Sequence, residues 1–435
     1  MDSPAALLAA GFVFFLLAGS PVAVAIALAT LLAVVAAGAT SAPTMIAQRM
    51  ATGIDSFALL AIPFFILSGA LMGRGGMARR LIDLADSLVG RLTGGLSLVN
   101  VLTCMMFGSI SGSAVAAVSS IGGVMIPEMR RAGYDNDFSV ALSVSAATTG
   151  LIIPPSNIMI VYSVVTGGVS VMAMFLAGVV PGVLMGLALM IASVLVCRWK
   201  GYGRADAARR AESPSLARAA LGALPSLLLV AIVLGGILAG VFTPTEAAAI
   251  AVVYAFVLGV FVYREVRWSD LPAMFLQTGI TTSVVMLLIG TSQAMAWIMA
   301  YQQIPQSLGA ALMALSDHPG VILLLVNAVL LAAGSFMDMT PAVLIFTPIF
   351  LPVVSGKLVG MDPVHFGVVM IVNLCIGLCT PPVGTCLFVG CGVGRTTLAR
   401  VAPQLLPFFA AMLAVLALVA AAPPLSLWLP RALGY

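Results

Sequence analysis

Four short stretches place oxygen-bearing side chains and helix-breaking residues inside long apolar runs: GSISGS (108–113), IIPPSN (152–157), GSFMDMT (334–340) and CTPPVGT (379–385). In GSISGS, Ser109, Ser111 and Ser113 offer hydroxyl oxygens, while Gly108 and Gly112 permit a tight reversal of the backbone. GSFMDMT carries Gly334, Ser335, Asp338 and Thr340. Asp338 is the one acidic residue placed deep in an apolar pair of segments, where a carboxylate is functional by default. It would neutralise a bound cation or accept a proton; its structural alternative is to cap the helix starting near Pro341. Pro154-Pro155 and Pro381-Pro382 each remove two backbone donors and turn the preceding residue away from helix, so the chain must unwind there. Carbonyls freed at these breaks, with Ser156, Asn157, Thr380, Gly384 and Thr385 beside them, make an oxygen-rich surrounding suited to Na+. Half-helices that meet at a break present N–H groups to an anion and carbonyls to a cation.

Such chemistry needs elements that hold it in lipid. The chain has 435 residues, is 62% hydrophobic and only 8% charged, and has a mean hydropathy of +1.18, which excludes a soluble globule and places it in a bilayer. About 20 helical residues cross a ~30 Å hydrocarbon core. Spans are expected near 4–19, 21–37, 56–72, 138–165, 170–197, 219–240, 247–263, 270–300, 365–394 and 403–428. Two further apolar pairs, 94–126 and 320–354, are interrupted near their middles and read as re-entrant hairpins. Non-helical backbone at membrane depth is tolerated only where protein buries it or a cavity solvates it, which makes GSISGS a hairpin tip. With both pairs re-entrant, 16 of the 19 basic residues collect on one side, leaving out Arg49, Lys357 and Arg431. That side is cytoplasmic by the positive-inside rule, so both termini are expected in the periplasm. The first apolar run follows Asp2 and has no basic residue before it, so it reads as a retained span rather than a cleaved signal.

The two halves repeat. LAGSPVAVAIALA (17–29) parallels LAGVFTPTEAAAIAVVYA (238–255), VNVLTCMMFGSISGS (99–113) parallels VNAVLLAAGSFMDMT (326–340), and GLIIPPSNIMIVYSVVTG (150–167) parallels GLCTPPVGTCLFVGCGVG (377–394). Gly108 precedes Pro154 by 46 positions, and Gly334 precedes Pro381 by 47. The expected organisation is a first repeat over 1–197, a cytoplasmic linker over 198–218 and a second repeat over 219–435. The second copy would cross the membrane in the opposite sense, an arrangement of secondary transporters with sites at the repeat interface.

Other features read as structural. Met77 to Leu92 places Leu81, Leu84 and Leu88 on one helical face, as for a helix lying in the membrane interface. Thr243 and Glu246 form a capping box. The six cysteines make no CxxC pair and read as small buried residues. A hydrolase is disfavoured because His318 and His365 are expected near periplasmic boundaries rather than beside the first hairpin, which enters from the cytoplasm, leaving Ser111 no activating base. There is no phosphate-binding loop for ATP, no cofactor is expected, and nothing suggests nucleic acid.

The runs GSISGSAVAAVSSIGGVMIPEM, TTGLIIPPSNIMIVYS, AGVFTPTEAAA and DPVHFGVVMIVNLCIGLCTPPVGTCLFV, with the early LAIPFFILSGALMGRGG, resemble the large membrane (permease) subunit of TRAP transporters, the DctM family. The resemblance covers essentially the whole chain. It implies an all-α polytopic protein of the bacterial inner membrane with elevator-type scaffold and transport domains. It also implies Na+ as coupling ion, an organic-acid substrate, a periplasmic substrate-binding protein and a separate small four-helix membrane subunit. Its hairpin tips would lie at Ser109 to Ser113 and Gly334 to Thr340, and its broken-helix sites at Pro154 to Asn157 and Thr380 to Thr385. An independent Na+/dicarboxylate symporter of the related hairpin-containing class is the alternative; it would work without a binding protein.

Overall fold

The computed structural model describes residues 3–38, 41–203, 215–316, 318–356 and 359–435; every regular element among them is helical. That is what lipid demands of a chain this apolar, because a helix satisfies its own backbone hydrogen bonds. Seven described helices are long and apolar enough to cross a membrane: Phe57–Arg74, Val171–Lys200, Leu216–Leu238, Pro244–Val262, Trp268–Tyr301, Pro319–Phe336 and Leu398–Ala421. A pair bent by 48°, Asn136–Ile152 and Asn157–Thr166, makes an eighth. Six of the seven, with the bent pair, fall on expected spans; the seventh, Pro319–Phe336, is the first arm of the pair expected to be re-entrant, and the other three expected spans are shorter pieces. Ser3–Leu17 and Val22–Ala36 have 15 residues each, about 22 Å of helix, because Gly19 (φ 81°) and Pro21 turn the chain between them. The stretch expected at 365–394 is two helices, Pro363–Gly377 and Thr385–Gly394. The last expected span ends at Ala421, and a short helix, Pro424–Ala432, begins beyond Pro423.

Both interrupted apolar pairs consist of two arms. Gly95–Ser111 gives way at Gly112 (φ 60°) to Ala114–Ala117, a π-turn over Val118–Gly122, and Gly123–Arg131. Pro319–Phe336 gives way at Met337 and Asp338 to Met339–Val354.

The two broken helices pack antiparallel. Tyr162 Oη donates to the Pro363 carbonyl (2.6 Å) at one end, and Asn136 Nδ2 donates to the Gly394 carbonyl (3.0 Å) at the other. Between them, the thiols of Cys375 and Cys379 point to the carbonyls of Thr148 (3.4 Å) and Val144 (3.6 Å). All six cysteines are buried, as expected.

Met77–Val89 is the expected amphipathic helix, with a shifted apolar face. Met77, Leu81, Leu84 and Ala85 are buried, whereas Leu88 is 52% exposed. The face turns toward Gly95–Ser111 and Leu216–Leu238, and Arg80 ties the helix to Glu265 (3.1 Å) while its guanidinium lies over the Tyr263 ring. The helix is thus fastened to the body of the protein. The capping box is present as expected: Thr243 N donates to Glu246 Oε2 (2.8 Å), and Glu246 N to Thr243 Oγ1 (3.3 Å). Two helices absent from the expected set, Ala42–Ile54 and Ile304–Leu315, pack against Leu271–Tyr301 and Met339–Val354 respectively. Of the residues used to orient the chain, Asp2, Arg204, Arg209, Arg210 and Lys357 lie outside the described residues, as do 204–214 of the linker expected over 198–218; its described ends overlap the helices Val171–Lys200 and Leu216–Leu238.

Candidate functional site: a cavity between the two hairpin tips

Each hairpin is seated on a broken helix by a pair of glycines. A Cβ on Gly150 would come within 2.2 Å of the Gly108 Cα, and one on Gly377 within 2.7 Å of the Gly334 Cα. Real Cβ atoms do not approach backbone so closely, so glycine at these four positions lets the arms touch the helices just before their Pro-Pro breaks. Both Pro-Pro bonds are cis.

The first tip is built from the end of one helix and the start of the next. Gly112 closes Gly95–Ser111 in a left-handed conformation, its N–H donating to the Gly108 carbonyl (2.9 Å). Ser113 then caps the next arm, accepting from Ala116 N (3.2 Å). Gly69 brings the helix Ala61–Arg74 against this tip, since a Cβ there would lie 2.7 Å from the Ser111 carbonyl oxygen. A Cβ on Gly112 would come within 2.9 Å of Asn157 Nδ2, so the bare glycine admits the first residue after the first break. The Asn157 Oδ1 is buried and has no hydrogen-bond partner.

At the second tip, Asp338 occupies the N-cap position before Met339–Val354, but its side chain makes no capping hydrogen bond there. Its Oδ1 accepts from Thr385 Oγ1 (3.2 Å), the first residue of the helix that resumes after the second break. Gly384 N donates to the Ser335 carbonyl (3.1 Å), fastening the same tip to the same break.

A cavity of about 480 Å³ collects much of this set. Ser111, Gly112, Ser113, Asn157, Asp338 and Thr340 all line it. Thr385 reaches it through Asp338. The remaining predicted residues do not line it. Ser109, Ser156, Ser335 and Thr380 donate their hydroxyl protons to the carbonyls of Met106 (2.9 Å), Leu151 (2.6 Å), Ala332 (2.7 Å) and Ile376 (2.8 Å). Gly334 is taken up by the contact with Gly377, and Pro155 faces Phe65 and Leu229 in a separate small void. Pro154, Pro381, Pro382 and Gly384 shape the breaks without lining the cavity.

The opposite wall was missed by sequence reasoning. It comes from Ile62 and Ile66 on Ala61–Arg74 and from Gln277, Thr281 and Val285 on Leu271–Tyr301. Gln277 and Thr281 stand one helical turn apart in a span that also carries Thr278, Thr282, Ser283, Thr291, Ser292 and Gln293, so the sequence marks the span as unusually polar without singling out these two. The cavity therefore offers hydroxyls, two amides (Asn157 and Gln277) and one carboxylate, with apolar walls. An arrangement of this kind can hold a small polar anion together with a cation that balances it. Among the described residues no group of three or more His, Cys, Asp or Glu side chains gathers to hold a metal ion.

The family model for the DctM component of the tripartite ATP-independent periplasmic transporters matches residues 9–425. An uncharacterized protein, YgiK, of Salmonella typhimurium is 47% identical over 98% of this chain and 97% of its own length. The C4-dicarboxylate TRAP transporter large permease protein DctM of Pseudomonas aeruginosa is 44% identical over 87% of this chain and 88% of its own. Among solved structures, the fold is similar to that of the YdaH transporter of Alcanivorax borkumensis, with a TM-score of 0.63 at 16% identity and 91% of each chain covered. With antiparallel broken helices, glycine-seated hairpins and a family match across nearly its whole length, this chain belongs to the DctM family of TRAP transporter large permease subunits.

Proposed function

We propose that this permease imports an organic acid into the cytoplasm in symport with Na+, receiving it from a periplasmic binding protein and working beside a small four-helix membrane subunit. The observation that carries this reading is the convergence of both hairpin tips and the first break on one cavity, facing a wall from different helices. In this reading the hairpins and broken helices form the moving body. The helices Phe57–Arg74, Pro244–Val262 and Trp268–Tyr301 belong to the scaffold it slides against, in an elevator cycle. The antiparallel packing of the broken helices supports an inverted repeat. With the basic loops toward the cytoplasm, both termini would lie in the periplasm.

Na+ enters as a co-substrate. Asn157 Oδ1, the hydroxyls at the first tip, Asp338 and the carbonyls at the breaks are oxygen donors of the type a hard cation takes, and the unpartnered Asn157 oxygen fits that role. The acid's own carboxylate would meet N–H groups at the helix starts after the tips and breaks. Asp338 would repel that carboxylate unless a cation stood between them, which gives the coupling its sense: Na+ first, anion second.

The test is uptake into proteoliposomes containing this chain, its small subunit and the cognate binding protein, with each component and the inward Na+ gradient omitted in turn. Uptake should need all of them. Gradient-driven uptake by this chain alone would replace the tripartite reading with the independent symporter.

A further inference from the structure

A second cleft, of about 680 Å³, lies where Ala42–Ile54 and the far end of Leu271–Tyr301 face the loop between Asn157–Thr166 and Val171–Lys200. Arg49 is the one charged residue lining it. Its guanidinium carbon stands 5.2 Å from the ring centroid of Trp297, and among the described residues it forms no ion pair. The floor is set by close helix packing, since a Cβ on Gly53 would come within 2.6 Å of the Gln293 Cβ. The facing rim is bare: Gly167 (φ 67°) and Gly168 have nothing within 4 Å of where a Cβ would be.

This cleft and the tip cavity share two helices. Val161 lines the cavity, and Ser163 and Val164 line the cleft. Val285 lines the cavity, and Gln293 and Trp297 line the cleft. From Val285 to Gln293 is about 12 Å along the helix at ~1.5 Å per residue. The two spaces are therefore stacked along one line, with the cleft toward the ends of both helices.

We propose that this cleft is a receiving site for the carboxylate of the incoming acid, with Arg49 as the group that binds it. The inference rests on the import reading above, in which these helix ends face the periplasm. An unpaired arginine on that side is not explained by the positive-inside rule, which draws basic residues to the cytoplasm. A guanidinium laid against an indole keeps its edge donors free and its plane fixed, and that fork matches the two oxygens of a carboxylate. Gln293 lines the same cleft and can hydrogen-bond further polar groups of the acid, while Ser163, whose hydroxyl donates to the Met159 carbonyl (3.0 Å), can only accept. The acid would be held here by charge without Na+, and would then pass about 12 Å to a tip cavity that accepts it only with Na+.

The experiment uses the full chain in lipid nanodiscs with Trp199, Trp268 and Trp428 changed to Phe, so that Trp297 is the sole tryptophan and is excited selectively over the tyrosines. It is titrated with acetate, succinate and gluconate at fixed ionic strength in Na+-free buffer, and with uncharged succinamide as control. At least one carboxylate should give a saturable change in Trp297 emission, and succinamide none. Arg49→Gln should raise the half-saturating concentration at least tenfold, Arg49→Lys less, and Asp338→Asn should leave the response in place. Absence of a saturable response to all three acids, or a response that survives Arg49→Gln, overturns the proposal. Proteoliposome uptake separates the two readings. Uptake by the assembled system with a silent Trp297 removes the cleft alone. A response that Arg49→Gln abolishes, without uptake under any condition, supports the cleft and removes the importer.

Discussion

Thr385 Oγ1 donates to Asp338 Oδ1 across 3.2 Å, joining the tip of the second hairpin to the helix that resumes after the second Pro-Pro break. The one carboxylate at the cavity is thereby positioned by a residue from a different element, 47 positions along the chain. Thr385→Val removes the donor and keeps the shape. We expect it to raise the Na+ concentration needed for half-maximal uptake severalfold, while Thr385→Ser stays close to wild type. Equal Na+ dependence in all three proteins would show that the hydrogen bond does not position the carboxylate for coupling.

The first tip offers two hydroxyls to the cavity, from Ser111 and Ser113. Changing both to Ala should lower uptake at least tenfold at normal expression. Loss of the Ser113 cap on Ala116 N also costs about 1 kcal/mol locally, so Ser113→Asn, which can still cap, serves as the comparison. Wild-type uptake by the double variant would assign both hydroxyls to packing.

The glycine pairs predict a stability effect that owes nothing to transport. Gly150→Ala and Gly377→Ala each drive a methyl into backbone, and overpacking of this kind costs about 1–3 kcal/mol. Thermal unfolding in detergent should register a clear fall for both. Gly123→Ala, where nothing lies within 4 Å, should be neutral or slightly stabilising. A fall in the Gly123 variant equal to the others would undo the argument from close approach.

Gln277 and Thr281 belong to the wall opposite the tips. Gln277→Leu with Thr281→Val should weaken the apparent affinity for the transported acid and shift preference among related acids. Na+ dependence should be retained, because the proposed cation donors lie on the tips and breaks. A selective change in Na+ affinity with unaltered acid affinity would place the cation against this wall instead.

Much of the architecture was legible because lipid leaves few alternatives: the breaks at Gly112, Pro154-Pro155, Asp338 and Pro381-Pro382 each interrupt helix where the residue types require it. The capping box at Thr243 and Glu246 was legible for the same local reason. What lay beyond reach was tertiary. Ser156 and Thr380 stand beside the breaks as expected, yet neither lines the cavity, and their hydroxyls turn to the carbonyls of Leu151 and Ile376, which spacing along the chain does not reveal. Gln277 and Thr281 matter only once their helix is known to face the tips. Ala42–Ile54 escaped notice because it buries only Ala42 and Ile46, too little for an apolar period to stand out.

The central claim is that the tips and breaks form the site where Na+ and the acid are coupled, with Asp338 as its charge. The most direct measurement is the initial rate of acid uptake against external Na+ concentration in the reconstituted system, for wild type and Asp338→Asn at matched expression. The account predicts a saturating Na+ curve for wild type and, for Asp338→Asn, a half-saturating Na+ concentration at least tenfold higher with a folded, correctly assembled protein. Superimposable curves would contradict it.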